Sequence, residues 1–155
     1  MTVSDGFAAT ERGSYRVWTR ESLRYADLDP VGHVNNTAYS VYIENARTML
    51  FHRVMQQSGS GDGFGNLDWI LRRIELDFLR EIRYPGEVEV GLSITRMGTS
   101  SMILEIGVFT AHYCAATSHG VSVCFDTVAR TSRRIPDRLR HALWETGGYA
   151  GDPVS

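Results

Sequence analysis

Lysine is absent from this chain of 155 residues, so all 16 basic residues are arginine. They are outnumbered by 18 acidic residues, and the formal net charge is −2. Proteins whose main partner is nucleic acid or an anionic membrane surface usually carry an excess of positive charge. The charge balance therefore predicts neither of these partners. Any cationic contact with a phosphate or carboxylate must use guanidinium, which can bind such groups through two parallel hydrogen bonds.

Cysteine is also scarce, and long apolar runs are missing. The two cysteines, Cys114 and Cys124, fall in no CxxC or Cys/His pattern. The start MTVSDGFAATERGSYRVW has no basic-then-apolar signal. No apolar run approaches the roughly 20 residues of a membrane helix. We therefore expect a cytoplasmic protein with reduced thiols and no membrane partner.

Several motifs of common enzymes are missing as well. The sequence has no GxSxG nucleophile elbow and no HExxH or paired Cys/His spacing for zinc. The glycines of SGSGDGFGN, residues 58–66, alternate and form neither GxGxxG nor a P-loop. We predict no metal and no cofactor, and we interpret residues 58–66 as a mobile surface linker.

Length and composition predict a single globular domain. The hydrophobic share of 43% and the charged share of 22% are near the globular average. A chain of this length can bury a sizeable core. We expect a flexible N-terminal segment over residues 1–14, one domain over residues 15–145 and a tail over residues 146–155.

One long amphipathic helix is the clearest element. In TAYSVYIENARTMLFHRVMQQ, apolar residues recur at intervals of three or four, which is the spacing of one helix face. The pattern predicts a helix of about five turns that begins at Asn35, Asn36 or Thr37, all good N-cap residues. The apolar positions are Tyr39, Tyr42, Ile43, Ala46, Met49, Leu50 and Val54.

Strand patterns dominate the rest of the chain. YRVWTRESLRY, residues 15–25, partly alternates, and residues 88–94 and 102–108 alternate clearly around a turn at MGTS. A third run, VSVCFDTV, follows the turn-like ATSHG, and Pro136 can open a short terminal helix. Several antiparallel strands after one long helix predict an α+β domain.

Residues 69–84, WILRRIELDFLREIRY, fit two structures equally well. As a strand, Ile74, Leu76 and Phe78 would be buried or nearly buried on one face, with Glu75 and Asp77 on the other. As a helix, residues 70, 74, 78 and 82 would share a face. Periodicity alone does not decide.

The stretch DLDPVGHVNNTAYSVYIENAR, residues 27–47, is dense in hydrogen-bonding side chains. A helix N-terminus presents unpaired backbone N–H groups and a positive dipole end, which can hold an anion or a developing oxyanion. A nearby carboxylate, Asp27 or Asp29, could then act on an acyl group. The competing interpretation is structural: Asp27 ends a strand and Asp29 makes an Asx turn into Pro30.

This stretch resembles the signature of hotdog-fold acyl-CoA thioesterases of the 4-hydroxybenzoyl-CoA thioesterase-like family. That signature is an aromatic residue followed by D-x-D-x-x-G-H-V-N-N, then Y and E-x-A-R. The segments DWILRRIELDFLREIRYPGEVEV and RRIPDRLRHAL also resemble the family, so the likeness covers roughly residues 15–145. The resemblance implies that residues 69–84 contain a strand.

The resemblance also implies a fold, a reaction and a site. The fold would be a five-stranded antiparallel sheet wrapped around one long central helix, assembled as a homodimer or a dimer of dimers. Asp29 would be the catalytic nucleophile or general base, and backbone N–H groups around Asn35 and Asn36 would hold the thioester oxygen. His33 would line the substrate with them, as would Trp69, which stands where the family often has a smaller residue. Phosphate contacts to coenzyme A would come from among Arg72, Arg73, Arg80, Arg83, Arg130, Arg133 and Arg134.

Three functions follow from these patterns. The leading hypothesis is hydrolysis of an acyl-CoA thioester to a free acid and CoA. The alternatives are hydration of an enoyl thioester and a non-catalytic module that binds an acyl ligand or supports assembly. Glu44 is interpreted as structural, through the neighbouring chain or through Arg47.

Overall fold

One antiparallel sheet and one long helix make up most of the chain in a computed structural model, which describes residues 6–58 and 64–149. The five main strands lie in the order β1-β3-β4-β5-β2, and the short β6 pairs with β5. This confirms the predicted α+β architecture. The elements are β1 Val17–Ser22, α1 Asn36–Gln57, β2 Leu67–Phe78, β3 Glu87–Met97, β4 Ser101–Phe109, β5 Cys114–Asp126, β6 Thr131–Ser132 and α2 Asp137–Gly147, with 3₁₀ turns at Arg12–Ser14 and Tyr25–Asp27.

Helix α1 is held by the apolar face that the sequence predicted. Its 22 residues make about six turns, and the side chain of Asn35 caps the start by accepting a hydrogen bond from the Thr37 N–H at 3.0 Å. Met49 is the exception on this face, because it is 46% exposed. The buried members are Ala38, Tyr39, Tyr42, Ile43, Ala46, Leu50 and Val54.

The sheet supplies the other half of the core. Alternate residues of β3 and β4 face α1 and are almost fully buried. Burying this apolar surface is the main force that holds the helix against the sheet. The buried residues of these two strands are Val88, Val90, Leu92, Ile94, Met102, Leu104, Ile106 and Val108.

The ambiguous segment forms a strand. In β2, Ile74 pairs with Gly120 and Glu75 with His119, so Ile74 and Glu75 lie on opposite faces, as predicted for a strand. The expected burial is wrong for the single chain, because Ile74 is 39% and Phe78 is 47% exposed. The reason is that β2 is an edge strand, and no other strand of the described residues lies beyond it.

The segment ATSHG was predicted as a turn, and the structure overturns that prediction. Residues 116–120 lie inside β5, which is hydrogen-bonded to β4 on one side and to β2 on the other. Pairing along both edges outweighs the low strand propensity of alanine, serine and glycine. The predicted turn at MGTS is confirmed by the Gly98 N–H bond to the Ser101 carbonyl at 2.8 Å.

Both ends of the described chain pack against the domain. Phe7, within the segment predicted to be flexible, is buried against Tyr15 and Tyr149 with ring centroids 5.3 and 4.9 Å away. Helix α2 begins after Pro136, which is its N-cap and not its first helical residue. Most of the predicted glycine linker, residues 59–63, lies outside the described residues.

The structure also gives the state of the cysteines and the character of the helices. Both Cys114 and Cys124 are free thiols. Within residues 6–58 and 64–149, neither helix is long and apolar enough to span a bilayer.

Candidate active site

Asp27, the first acid of the motif, fixes the loop that precedes α1. It is 4% exposed. Its carboxylate accepts hydrogen bonds from the Arg24 backbone N–H at 3.0 Å, the Arg24 guanidinium at 2.7 and 3.1 Å and the Tyr42 hydroxyl at 2.8 Å. Burial alone would raise the pKa of Asp27, but the hydrogen bonds from Arg24 and Tyr42 hold that pKa below its ordinary value. Asp27 is therefore an ionised anchor between the loop and α1.

Asp29, the second acid, is only partly buried and shapes the turn after it. One carboxylate oxygen, Oδ1, accepts hydrogen bonds from the backbone N–H of Val31 at 2.9 Å and of His33 at 3.1 Å. The Asx-turn geometry considered from the sequence is thus present. Among the described residues no donor reaches the other oxygen, Oδ2, so its lone pairs are unoccupied.

The start of α1 offers one free backbone donor where two were predicted. The Asn35 N–H donates to the Asp27 carbonyl at 2.7 Å and is therefore occupied. The Thr37 N–H is occupied by the Asn35 side chain. Within the described chain the Asn36 N–H has no acceptor, as expected for the first residue of a helix. An oxyanion site at this helix start would therefore use Asn36 and not the Asn35 N–H.

A cavity of about 240 Å³ joins the loop to the end of β2. It brings together three of the predicted site residues, Asp29, His33 and Asn36, while Asn35 serves as the helix cap beside them. The complete lining is Asp29, His33, Val34, Asn36, Tyr39, Phe78, Leu79, Arg80 and Glu81.

Glu81 is the site residue that sequence reasoning missed. Its Oε2 lies 2.7 Å from His33 Nε2, and its Oε1 accepts a hydrogen bond from Arg83 at 2.8 Å. The contact with His33 arises because His33 and Arg83 form a bridge between two loops. No local pattern could have revealed it, since 48 residues separate the two side chains in sequence.

Two aromatic rings form the apolar wall of the cavity. Tyr39 on α1 meets Phe78 at the end of β2 edge-to-face, with centroids 5.1 Å apart. Burial, with smaller contributions from Tyr113 and Glu81, raises the pKa of Tyr39 to about 12. The Tyr39 phenol therefore stays neutral near pH 7 and can act only as a hydrogen-bonding group.

Trp69, predicted to bind substrate, lies away from this cavity. Its ring stacks on Phe51 in the last third of α1, with centroids 5.0 Å apart and planes 15° apart. Nine residues of strand separate it from Phe78, which corresponds to roughly 30 Å along the strand. Trp69 therefore cannot contact the Asp29 cavity of its own chain.

Comparison with known proteins places this chain in a family. The sequence pattern of the thioesterase-like superfamily matches residues 23–143. The fold is also that of solved hotdog thioesterases. A thioesterase from Thermus thermophilus, solved with coenzyme A and zinc, is 29% identical with a TM-score of 0.73, and the likeness covers 86% of this chain and 95% of that one.

Two further proteins are similar to this chain. The PA5185 protein of Pseudomonas aeruginosa strain PAO1 is 26% identical with a TM-score of 0.75, over 90% of this chain and 97% of that one. The YsmA protein of Bacillus subtilis strain 168 is 23% identical over 112 residues, which is 72% of this chain and 68% of that protein. The chain belongs to the thioesterase-like superfamily.

Metal-binding side chains do not converge at the site. Within residues 6–58 and 64–149, no three His, Cys, Asp or Glu side chains lie close enough to hold a metal ion.

Proposed function

We propose that this protein hydrolyses an acyl-CoA thioester to a free acid and CoA, with Asp29 as the catalytic residue. The observation that carries the proposal is the position of Asp29. Its Oδ2 has no partner among the described residues, and it lines one cavity with the free N–H of Asn36. Membership of the thioesterase-like superfamily and the coenzyme A bound to the Thermus thermophilus relative support the same reaction.

The reaction needs little machinery because a thioester is already an activated acyl group. As a general base, Asp29 takes a proton from water while the water oxygen attacks the acyl carbon. The carbonyl oxygen becomes negative and is stabilised by the Asn36 N–H at the helix start. Collapse of this intermediate breaks the C–S bond. The leaving thiolate then takes up the proton that Asp29 accepted from water. As a nucleophile, Asp29 would instead form a mixed anhydride that water then cleaves.

His33 and Glu81 lie side by side near Asp29, with Glu81 Oε2 2.7 Å from His33 Nε2. In our proposal His33 lines the thioester group, and Glu81 limits rotation of the imidazole ring. The aromatic wall of Tyr39 and Phe78 receives the start of the acyl group, because it is the apolar side of the cavity. Arg80 and Arg83 are the two predicted phosphate-binding arginines that lie at or next to this cavity.

The active form in this proposal is a homodimer, or a dimer of dimers, built on β2. This strand exposes a row of backbone groups and several apolar side chains, a combination that normally requires a partner. Beside it a groove of about 190 Å³ contains Glu44 and Arg47 of α1, and Arg47 Nε is buried without a hydrogen-bond partner in the described chain. The large apolar residues exposed on β2 are Ile70, Leu71, Ile74 and Phe78.

Pairing of β2 with a second copy would also give Trp69 a role. In an antiparallel pair centred near the middle of β2, Trp69 of the partner subunit would lie opposite Leu76, close to Phe78. The substrate-binding role of Trp69 then becomes a role in the neighbouring subunit's site.

Replacing Asp29 by Asn tests the catalytic proposal. The amide keeps the size and the turn-forming acceptor but removes the negative charge and the nucleophile. We expect thiol release from benzoyl-, hexanoyl- and palmitoyl-CoA to fall at least ~100-fold for whichever substrates the parent cleaves. Asp27→Asn should reduce turnover less, once corrected for the folded fraction. The control is Glu145→Gln, an exposed carboxylate on α2 away from this cavity and from β2, which should keep the parent rate.

Three results would contradict the proposal. A folded Asp29→Asn protein that releases CoA at nearly the parent rate would remove Asp29 from the mechanism. A parent protein that binds acyl-CoA but releases no thiol would favour the non-catalytic alternative, whereas consumption of an enoyl-CoA without thiol release would indicate a hydratase.

A further inference from the structure

One large cavity in the described part of the chain lies far from Asp29. It measures about 470 Å³ and opens between the end of β3 and helix α2. Strand β3 begins at Glu87, next to the loop that leads to Asp29, and ends at Met97 beside this cavity. Its 11 residues span roughly 35 Å along the strand. A ligand in this cavity could not contact Asp29 of the same chain. The lining residues are Thr95, Arg96, Met97, Asp137, Arg140, His141 and Trp144.

The cavity has a fixed positive wall. Arg140 on α2 donates to the carbonyl oxygens of Gly98 at 2.6 Å and Thr99 at 3.3 Å. These neutral acceptors orient the guanidinium without cancelling its charge. Across the cavity, the exposed Arg96 makes no ion pair with any described residue. Two guanidinium groups from different elements therefore face one space.

The other ionisable groups of the lining determine which ligand charge the cavity favours. Asp137, in the first turn of α2, is paired with Arg134 at 2.7 Å but keeps its negative charge on the lining. His141 lies 3.0 Å from Glu145 on the solvent side of the same helix. Arg96, Arg140 and Asp137 together give the lining one net positive charge. This balance suits a singly charged anion better than a phosphate dianion, which Asp137 would repel.

The floor of the cavity is apolar. Met97 and Trp144 both pack against the main hydrophobic core and leave part of their side chains at the cavity surface. An indole ring and a thioether favour contact with a flat apolar or aromatic body. The cavity volume is in the range of sites for small organic molecules.

We propose that this cavity is a second binding site, which takes a small amphipathic carboxylate. The carboxylate pairs with Arg96 and Arg140, and the apolar body lies against Met97 and Trp144. Guanidinium and carboxylate match each other through two parallel hydrogen bonds, which gives the site its preference for this head group. The site does not depend on the proposed hydrolysis, because none of its residues belongs to the Asp29 cavity.

Titration with 2-naphthoate tests the proposal. Binding is followed by calorimetry and by the indole N–H signals of Trp18, Trp69 and Trp144 in a two-dimensional NMR spectrum. We expect saturable binding that shifts the Trp144 signal. The uncharged 2-naphthylmethanol should bind at least about 10-fold more weakly, because it lacks the charged head group.

Two arginine variants distinguish the loss of a ligand contact from a general change in surface charge. Arg96→Gln should weaken 2-naphthoate binding at least about 5-fold, since it removes one of two carboxylate partners. Its matched control is Arg138→Gln, which removes the same charge from an exposed position of α2 outside the cavity and should change binding less than about 2-fold. Asp29→Asn should leave 2-naphthoate binding unchanged. Circular dichroism melting of each variant checks that it remains folded.

Several results would overturn the proposal. These are no saturable binding up to millimolar 2-naphthoate, equal effects of Arg96→Gln and Arg138→Gln, or shifts confined to Trp18 or Trp69. Tighter binding of adenosine monophosphate than of 2-naphthoate would also overturn it, because the ligand class would then be a phosphate.

Discussion

Asp27→Asn is expected to destabilise the protein through one buried hydrogen-bond network. The parent carboxylate accepts four hydrogen bonds, two of them from the Arg24 guanidinium, one from the Arg24 backbone and one from Tyr42. An amide has one acceptor oxygen where the carboxylate has two. It can keep the bonds from Tyr42 and the Arg24 backbone. Its NH₂ group then faces the guanidinium, and because both groups are hydrogen-bond donors, no hydrogen bond forms between them.

The magnitude follows from how exposed each partner is. The Asp27 side chain is 3% exposed, whereas the Arg24 side chain is 65% exposed and can turn into water. The variant therefore loses a charge-assisted pair without leaving the guanidinium buried. Hydrogen bonds to charged groups contribute about 1.5–3 kcal/mol, and we expect a loss in this range in the free energy of unfolding near pH 7.

The effect should depend on pH in a defined direction. The pKa of Asp27 in the folded protein lies below its ordinary value of 3.8. A carboxylate with a lowered folded-state pKa contributes stability that is complete above the unfolded-state pKa and is lost as pH falls through the folded-state pKa. The difference between parent and variant should therefore be constant from about pH 7 to 5 and should shrink below about pH 4.

Urea unfolding at several pH values measures this difference. Protein concentration must be held constant, since association would add to the apparent stability. Glu145→Gln, at an exposed position on α2, is the control and should change stability by less than about 0.5 kcal/mol. Equal stability of Asp27→Asn and the parent at pH 7, or a difference that persists unchanged at pH 3, would refute this account of the loop.

Three further predictions concern the same fold. Tyr42→Phe removes one hydrogen bond to Asp27 and should cost about 1 kcal/mol in urea unfolding, and no change would show that this bond is not needed. Gly107→Ala should cost about 1–3 kcal/mol by thermal unfolding, because a Cβ would lie 2.5 Å from Phe109 Cε2 and 2.6 Å from the Tyr15 hydroxyl. The parent should be dimeric or tetrameric by light scattering, and Ile74→Lys, on the exposed face of β2, should shift it toward monomer, whereas a fully active parent monomer would exclude assembly through β2.

The local elements could be read from the sequence wherever one pattern was clear. The three-and-four spacing from Tyr39 to Val54 predicted α1, and the alternation in β3 and β4 predicted two strands, because each pattern reports which side of an element is buried. Asn35 as N-cap follows from its short side chain, which can bond the backbone two residues ahead. The family signature around Asp29 lies within one short stretch and could also be recognised without coordinates.

Contacts between distant segments were decided by the tertiary structure alone. Residues 69–84 fit a helix and a strand equally well, and pairing with β5 selected the strand, which runs over residues 67–78. Pairing along both edges likewise made residues 116–120 part of β5. Glu81 contacts His33 only because two loops lie side by side. Trp69 lies far from Asp29 because Trp69 is near the start of β2, whereas the Asp29 cavity is at the end of that strand. Such contacts depend on how the strands are ordered in the sheet, and a periodic pattern within one segment contains no information about that order.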